Sequence, residues 1–317
     1  MNTHNPSPRP LGKFEDPRIT ADGQQRAFVD LTGVTTLWFN TGTLCNIECV
    51  NCYIESSPTN DRLAYITLAE IEPYLDQIET RAWPVREIGF TGGEPFMNPE
   101  MVPMARAALE RGYRVLILTN AMRPMMRPKV RRGLEALIAD FGARLTLRVS
   151  LDHFTAEKND AIRGAGSFES ALEGMAWLRD RGARMAVAGR RLWEEDEAAC
   201  RAGFAALFAD RGFPVDAADP GALVLFPEMD EKADVPEITT ACWEILGKKP
   251  ADVMCASSRM VVKRRGAGTP SVLACTLLPY DPAFDLGPTL ADAERRIHLN
   301  HRHCARFCVL GGASCSA

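Results

Sequence analysis

The sequence has no long hydrophobic run, no large excess of charge of one sign and few ring residues, and each shortage excludes something. No stretch approaches the roughly 18 apolar residues of a membrane span, and the first 16 residues, polar and rich in Pro and Asn, lack the apolar segment of a secretory signal. A membrane partner is not expected, and the chain reads as cytoplasmic. Lys and Arg number 37 against 41 Asp and Glu, a formal net charge of −4. So even a balance gives no field that would gather nucleic acid. Aromatic residues make up only 8% and His only five positions, yet 46% of the 317 residues are hydrophobic. That is enough for a sizeable core in about two domains of roughly 150 residues.

Cysteine, by contrast, is plentiful: there are ten. In a reducing compartment they do not serve as disulfides, so their positions carry the information. Cys45, Cys49 and Cys52 sit together early, and Cys255, Cys275, Cys304, Cys308 and Cys315 fall near the end. Cys200, inside a helical stretch, reads as a small buried hydrophobe. Cys242 has no assigned role.

From residue 33 to 227 short apolar runs alternate with longer amphipathic ones, the pattern of βα units on a parallel sheet. Strands are expected at 34–40, 85–90, 114–119, 144–150, 184–188 and 222–226, and helices at 68–80, 99–111, 129–139, 168–181 and 194–211. Six units are two short of a closed eight-fold barrel, so the fold class is α/β, a partial (β/α)6 barrel at 33–227. Residues 1–32 read as an N-terminal extension and 228–317 as a small α+β region. In that region a short helix is expected at 239–247, strands at 254–264 and 271–277 around a glycine-rich turn, and a helix at 290–300. It has few apolar runs and needs a clamp, which its cysteines offer. Working groups of such folds sit at the carboxyl ends of strands.

The first cysteine group follows the first strand with the spacing C-x3-C-x2-C. Three thiolates so close suit iron–sulfur or zinc, and as one short of a full set they leave a coordination position open. The bland alternatives are a zinc knuckle or unligated core thiols. The second strand runs into Gly92-Gly93-Glu94-Pro95, which in isolation is only a strand-to-helix turn.

Together, the cysteine loop with Tyr53 directly after its last cysteine and the Gly-Gly-Glu-Pro turn resemble the signatures of the radical S-adenosylmethionine (radical SAM) superfamily. The resemblance implies a [4Fe–4S] cluster on Cys45, Cys49 and Cys52 whose open iron binds SAM. It implies that Gly92, Gly93 and Glu94 meet the methionine amino group, where glycine allows close approach and Glu94 accepts from an ammonium. Ser150, closing the fourth strand, matches a ribose contact, and Arg163 matches a residue that forks onto the methionyl carboxylate. Asn120 closes the third strand and is similarly placed. Bland alternatives for these three are a helix cap, a surface arginine and a turn asparagine.

The late cysteines resemble the twitch or SPASM-type extension of the same superfamily, which holds an auxiliary [4Fe–4S] cluster. Cys255, Cys275, Cys304 and Cys308 are the expected ligands, with Cys315 as substitute for Cys308. The spacings C-x3-C and C-x6-C depart from the usual C-x2-C, and His301 and His303 keep a structural zinc as the alternative. His153 reads as a packing residue, and the run Lys263-Arg264-Arg265 as a solvated turn. The implied chemistry is reductive cleavage of SAM to a 5′-deoxyadenosyl radical that takes hydrogen from a peptide or small-molecule substrate. A flavodoxin- or ferredoxin-like protein supplies the electron. The competing whole-protein reading is a non-catalytic iron–sulfur or zinc-binding protein on the same fold.

Overall fold

A computed structural model describes residues 12–191, 195–228 and 234–312. Eleven strands among these residues follow in chain order: β1 (Phe28–Val29), β2 (Thr36–Asn40), β3 (Glu87–Thr91), β4 (Arg114–Thr119), β5 (Leu145–Ser150), β6 (Arg184–Arg191), β7 (Leu223–Pro227), β8 (Ser258–Val262), β9 (Ser271–Leu273), β10 (Asp285–Gly287) and β11 (Ile297–His298). The helices are α1 (Leu68–Thr80), α2 (Met101–Glu110), α3 (Pro128–Phe141), α4 (Ala156–Arg163), α5 (Ser167–Arg179), α6 (Glu197–Arg211) and the single turn α7 (Cys242–Ile245). Strands β2 to β7 lie side by side in sequence order, all parallel, and form the six-stranded partial barrel.

The barrel strands are apolar on both faces because helices cover one side and the lumen fills the other. Phe39 and Phe90, paired across β2 and β3, stack 5.9 Å apart in the core, while Trp38 turns the other way. Its ring lies against Gly89, where a Cβ would stand 2.4 Å from Trp38 Cε3. A side chain at 89 and an indole at 38 therefore exclude one another.

The C-terminal region continues this sheet. Strand β8 runs parallel beside β2, and β9 and β10 follow antiparallel, so the nine-stranded order is β10-β9-β8-β2-β3-β4-β5-β6-β7. The barrel and the late cysteines thus share one backbone hydrogen-bond network, which fixes the distance between them. The helix expected at 290–300 is absent. Turns occupy its first part, and Ile297–His298 instead pairs antiparallel with Phe28–Val29. Pairing with the N-terminal arm outweighs a weak helical periodicity. The strand expected at 254–264 begins with a tight turn, Met254–Ala256, and is regular only at Ser258–Val262. Helix α4 was not expected from the sequence.

The N-terminal arm is held by a buried ion pair. Arg26, fully buried, meets Glu237 at 2.5 Å, and the same carboxylate accepts from Phe14 N and Ala21 N, both at 2.7 Å. No helix among the described residues is long and apolar enough to cross a membrane.

Candidate functional site

The carboxyl ends of β2 to β7 surround a cavity of about 160 Å³. Cys45, Cys49 and Cys52 line it together with Tyr53, Gly92, Gly93, Asn120, Ser150 and Arg163. Seven expected side chains and both glycines therefore converge from the ends of four strands, β2 to β5, and the segments that follow them. The cysteine loop is tied to its neighbours by backbone bonds: Cys45 N to Ser57 O at 3.0 Å, Glu55 N to Cys52 O at 2.8 Å and Val50 N to Ile162 O at 2.9 Å.

The glycine turn is zipped to the same loop. Gly93 N donates to Gly42 O at 2.8 Å and Glu94 N to Leu44 O at 3.1 Å. A Cβ on Gly93 would stand 2.2 Å from the Leu44 carbonyl oxygen, and one on Gly92, whose φ is +151°, would stand 2.6 Å from Gly42 O. Both glycines are thus required for the turn to approach the backbone that presents Cys45, independently of any ligand.

Glu94 stands behind the cavity wall and is not part of its lining. Its Oε1 accepts from Thr119 Oγ1 at 2.8 Å and Phe96 N at 3.1 Å, and its Oε2 from Asn120 N at 2.8 Å. Burial pushes its carboxyl up to about 7, against the pull of those donors. Glu94 therefore fixes the end of β4, and through it Asn120, whose Nδ2 donates to Asn46 Oδ1 at 2.9 Å and approaches Cys45 Sγ at 3.9 Å.

Arg163 is engaged by Asp152, with Nη2 and Nε each 3.0 Å from the carboxylate. Arg190, at the end of β6, shares that acid at 3.0 Å and also donates to Val50 O of the cysteine loop. Burial alone would raise Asp152, but the two guanidinium groups hold its carboxyl below the usual range. Arg190, Asp152 and the apolar wall of Phe226, Leu277 and Phe307 were missed from the sequence, although all line the cavity. For Arg190 a signal existed, since it closes a strand at its carboxyl end. Phe307 arrives from the wide helical turn Cys304–Leu310 and packs 5.2 Å from Phe226 of β7, so its position follows only from the tertiary fold.

A second cavity lies among the segments that precede β8 and follow β9. Cys255, Cys275, Cys304, Cys308 and His303 line it, amid apolar Met254, Phe284 and Ile297. Four of the late cysteines thus line one cavity, while Cys315 lies outside the described residues. The His301 ring lies 4.7 Å from that of His303, tilted by 60°, but does not line the cavity. Cys242 begins α7 and accepts from Thr239 N, away from the cavity. Cys200 is buried in α6 and donates to Glu195.

Among the described residues no three His, Cys, Asp or Glu side chains stand close enough to share a single metal ion. The thiols are instead spread over cavity walls, and their chemistry fits a soft, multi-atom guest. Burial pushes Cys45 up to about 12, Cys255 up to about 11, and Cys304 well above its ordinary value. Such thiols become thiolates only when a positive centre binds them.

Residues 39–190 match the family model described as the radical SAM superfamily. This segment belongs to the radical SAM superfamily. Over 155 residues the chain is 29% identical to the antilisterial bacteriocin subtilosin biosynthesis protein AlbA of Bacillus subtilis, covering 47% of this chain and 32% of that one. Over 131 residues it is 32% identical to the mycofactocin maturase MftC of Mycobacterium tuberculosis, covering 41% and 31%. The match spans about a third of the length of these curated relatives. The solved structure of Streptococcus suis SuiB bound to S-adenosylmethionine superposes with a TM-score of 0.58 at 12% identity, over 81% of this chain and 64% of that one. Native anSMEcpe with bound AdoMet superposes at 0.57 and 13%, over 81% and 79%. These likenesses show a shared fold over most of the chain.

Proposed function

We propose that this chain is a radical SAM enzyme that removes a hydrogen atom from a peptide substrate. Cys45, Cys49 and Cys52 hold the SAM-binding [4Fe–4S] cluster, and Cys255, Cys275, Cys304 and Cys308 hold an auxiliary [4Fe–4S] cluster. The observation that carries the reading is the shared cavity: three thiols line it together with Asn120, Ser150 and Arg163, which come from other elements of the barrel. Bound there, reduced cluster and SAM supply one-electron cleavage of a sulfonium and hydrogen abstraction from carbon.

The chain's own groups do the rest. The Gly92-Gly93 turn and Asn120 hold the Cys45 loop in shape, and Ser150 offers a hydroxyl to a ribose. Arg163, anchored by Asp152, places positive charge beside the thiols and toward a carboxylate. Phe226, Leu277 and Phe307 keep water from the reacting centre. A flavodoxin- or ferredoxin-like donor supplies electrons.

Support for a peptide comes from SuiB, solved with its precursor peptide SuiA, and from anSMEcpe, solved with a Cp18Cys peptide. The second reading is a small molecule, because the AdoMet-dependent heme synthase of Methanosarcina barkeri is 32% identical over 136 residues. The test is anaerobic reconstitution, dithionite and SAM, with chromatography for 5′-deoxyadenosine. Its formation is expected; intact clusters that yield none would refute the reading and favour a non-catalytic metal protein.

A further inference from the structure

Arg259 lies on β8, just after Cys255 of the second cavity's lining, and is 1% exposed. Its hydrogen bonds end on backbone carbonyls: Nη1 on Cys255 O at 2.6 Å and Ser258 O at 2.8 Å, Nε on Ala293 O at 3.1 Å, and Nη2 on Arg295 O at 3.4 Å. No carboxylate among the described residues pairs with it. Arg26 shows how the same chain treats another buried guanidinium, neutralising it with Glu237 at 2.5 Å. A guanidinium keeps its proton, and burying one without an opposing charge is unfavourable. Carbonyl dipoles offset part of this. The shortest of these bonds ends on Cys255, which lines the four-thiol cavity together with Cys275. Four thiolates outweigh the positive charge of a [4Fe–4S] core, so the loaded site is an anion.

We propose that Arg259 is the counter-cation of the C-terminal thiolate cluster and raises its reduction potential. The proposal rests on the auxiliary-cluster reading. A fixed cation favours the reduced, more negative state of the cluster, and net charge and hydrogen bonding are the protein's principal controls on such potentials. The carbonyl of Cys255, held by Nη1, makes the same residue a positioning group for a ligand's backbone.

The test is a redox titration followed by electron paramagnetic resonance, with iron and zinc counted. It uses full-length, anaerobically reconstituted protein in which Cys45, Cys49 and Cys52 are replaced by Ala, so that only the C-terminal cluster signals. Arg259→Gln keeps donors and drops the charge; Arg259→Met is a second neutral variant should Gln not accumulate; Arg259→Lys keeps the charge and loses the fork. At equal iron content the neutral variant is expected to titrate at a more negative potential and to lose iron faster to a chelator, with Arg259→Lys close to the parent. An unchanged midpoint in the neutral variant, or equal shifts in the neutral and Lys variants, overturns the proposal. A parent without iron in this background overturns the cluster reading itself, before Arg259 is varied.

Discussion

Arg190 of β6 meets Asp152 just past the neighbouring β5, its Nη2 standing 3.0 Å from Oδ2 of a carboxylate that Arg163 also holds. One buried acid therefore restrains two cations on different elements, β6 and α4. Arg190 also grips Val50 O, so this triad couples the cysteine loop to the far side of the barrel. Asp152→Asn leaves both guanidinium groups without their anion and is expected to cost about 3–5 kcal/mol. Arg190→Gln combined with Asp152→Asn should cost less than the sum of the single changes, by about 0.5–3 kcal/mol. A denaturant-based double-mutant cycle on reconstituted protein measures this; strict additivity would contradict the shared restraint.

Gly93→Ala drives a methyl group into the Leu44 carbonyl oxygen, which belongs to the loop carrying Cys45. Both partners are backbone, so relief requires the loop to move. A loss of about 1–3 kcal/mol is expected, together with weakened iron retention in the first site and normal retention in the second. Iron analysis after gel filtration reads this out, and wild-type iron content would show the close approach to be dispensable.

The Arg26–Glu237 pair gives the arm a pH dependence. Burial raises the Glu237 carboxyl, but donation from Ala21 N and Phe14 N and the Arg26 charge outweigh it, so the folded-state value lies below the ordinary 4.5. An acid depressed on folding stabilises the protein above its unfolded value, and that contribution disappears as pH falls through the folded value. Wild type should therefore exceed Glu237→Gln in stability at neutral pH by about 3–5 kcal/mol, and the gap should close below pH 4.5. Urea unfolding between pH 7 and pH 3 checks it; a gap that stays constant would contradict the assignment.

Removing Cys45, Cys49 and Cys52 together should leave about four irons of about eight per chain and abolish SAM cleavage. Removing Cys255 and Cys275 should spare the first site and destabilise the C-terminal region, since ligation there is folding energy. Iron analysis and thermal unfolding separate the two. Full iron after the first change, or an unchanged iron count after the second, would reassign the ligands.

Much of the barrel was legible because its signals are local. Leu68–Thr80 carries an apolar stripe through Ile71, Leu75 and Ile78, and Arg114–Thr119 is a compact apolar run; both elements have the expected bounds. Helix α4 was invisible because Ala156–Arg163 buries only Asn159 and so shows no stripe. The false helix at 290–300 had adequate periodicity, but Ile297 is committed to Val29, a partner more than 260 residues away. At the site, motif spacing identified the cysteines and the glycine turn, while Asp152 carries no motif of its own and Arg190 lies beyond the strand expected at 184–188. The place of Glu94 behind the wall depends on where β4 ends relative to β3, and the apolar roof depends on Phe307 folding back from the C-terminal turn. No local pattern encodes either.

The central claim is that the Cys45–Cys49–Cys52 cluster has an iron open to SAM. The most direct measurement is the electron paramagnetic resonance spectrum of the reduced, fully loaded protein before and after SAM is added, with the C-terminal signal known from the triple variant. The signal that belongs to the first site should change its g-values on addition, and the C-terminal signal should not. A spectrum indifferent to saturating SAM, at full iron content, would contradict the account.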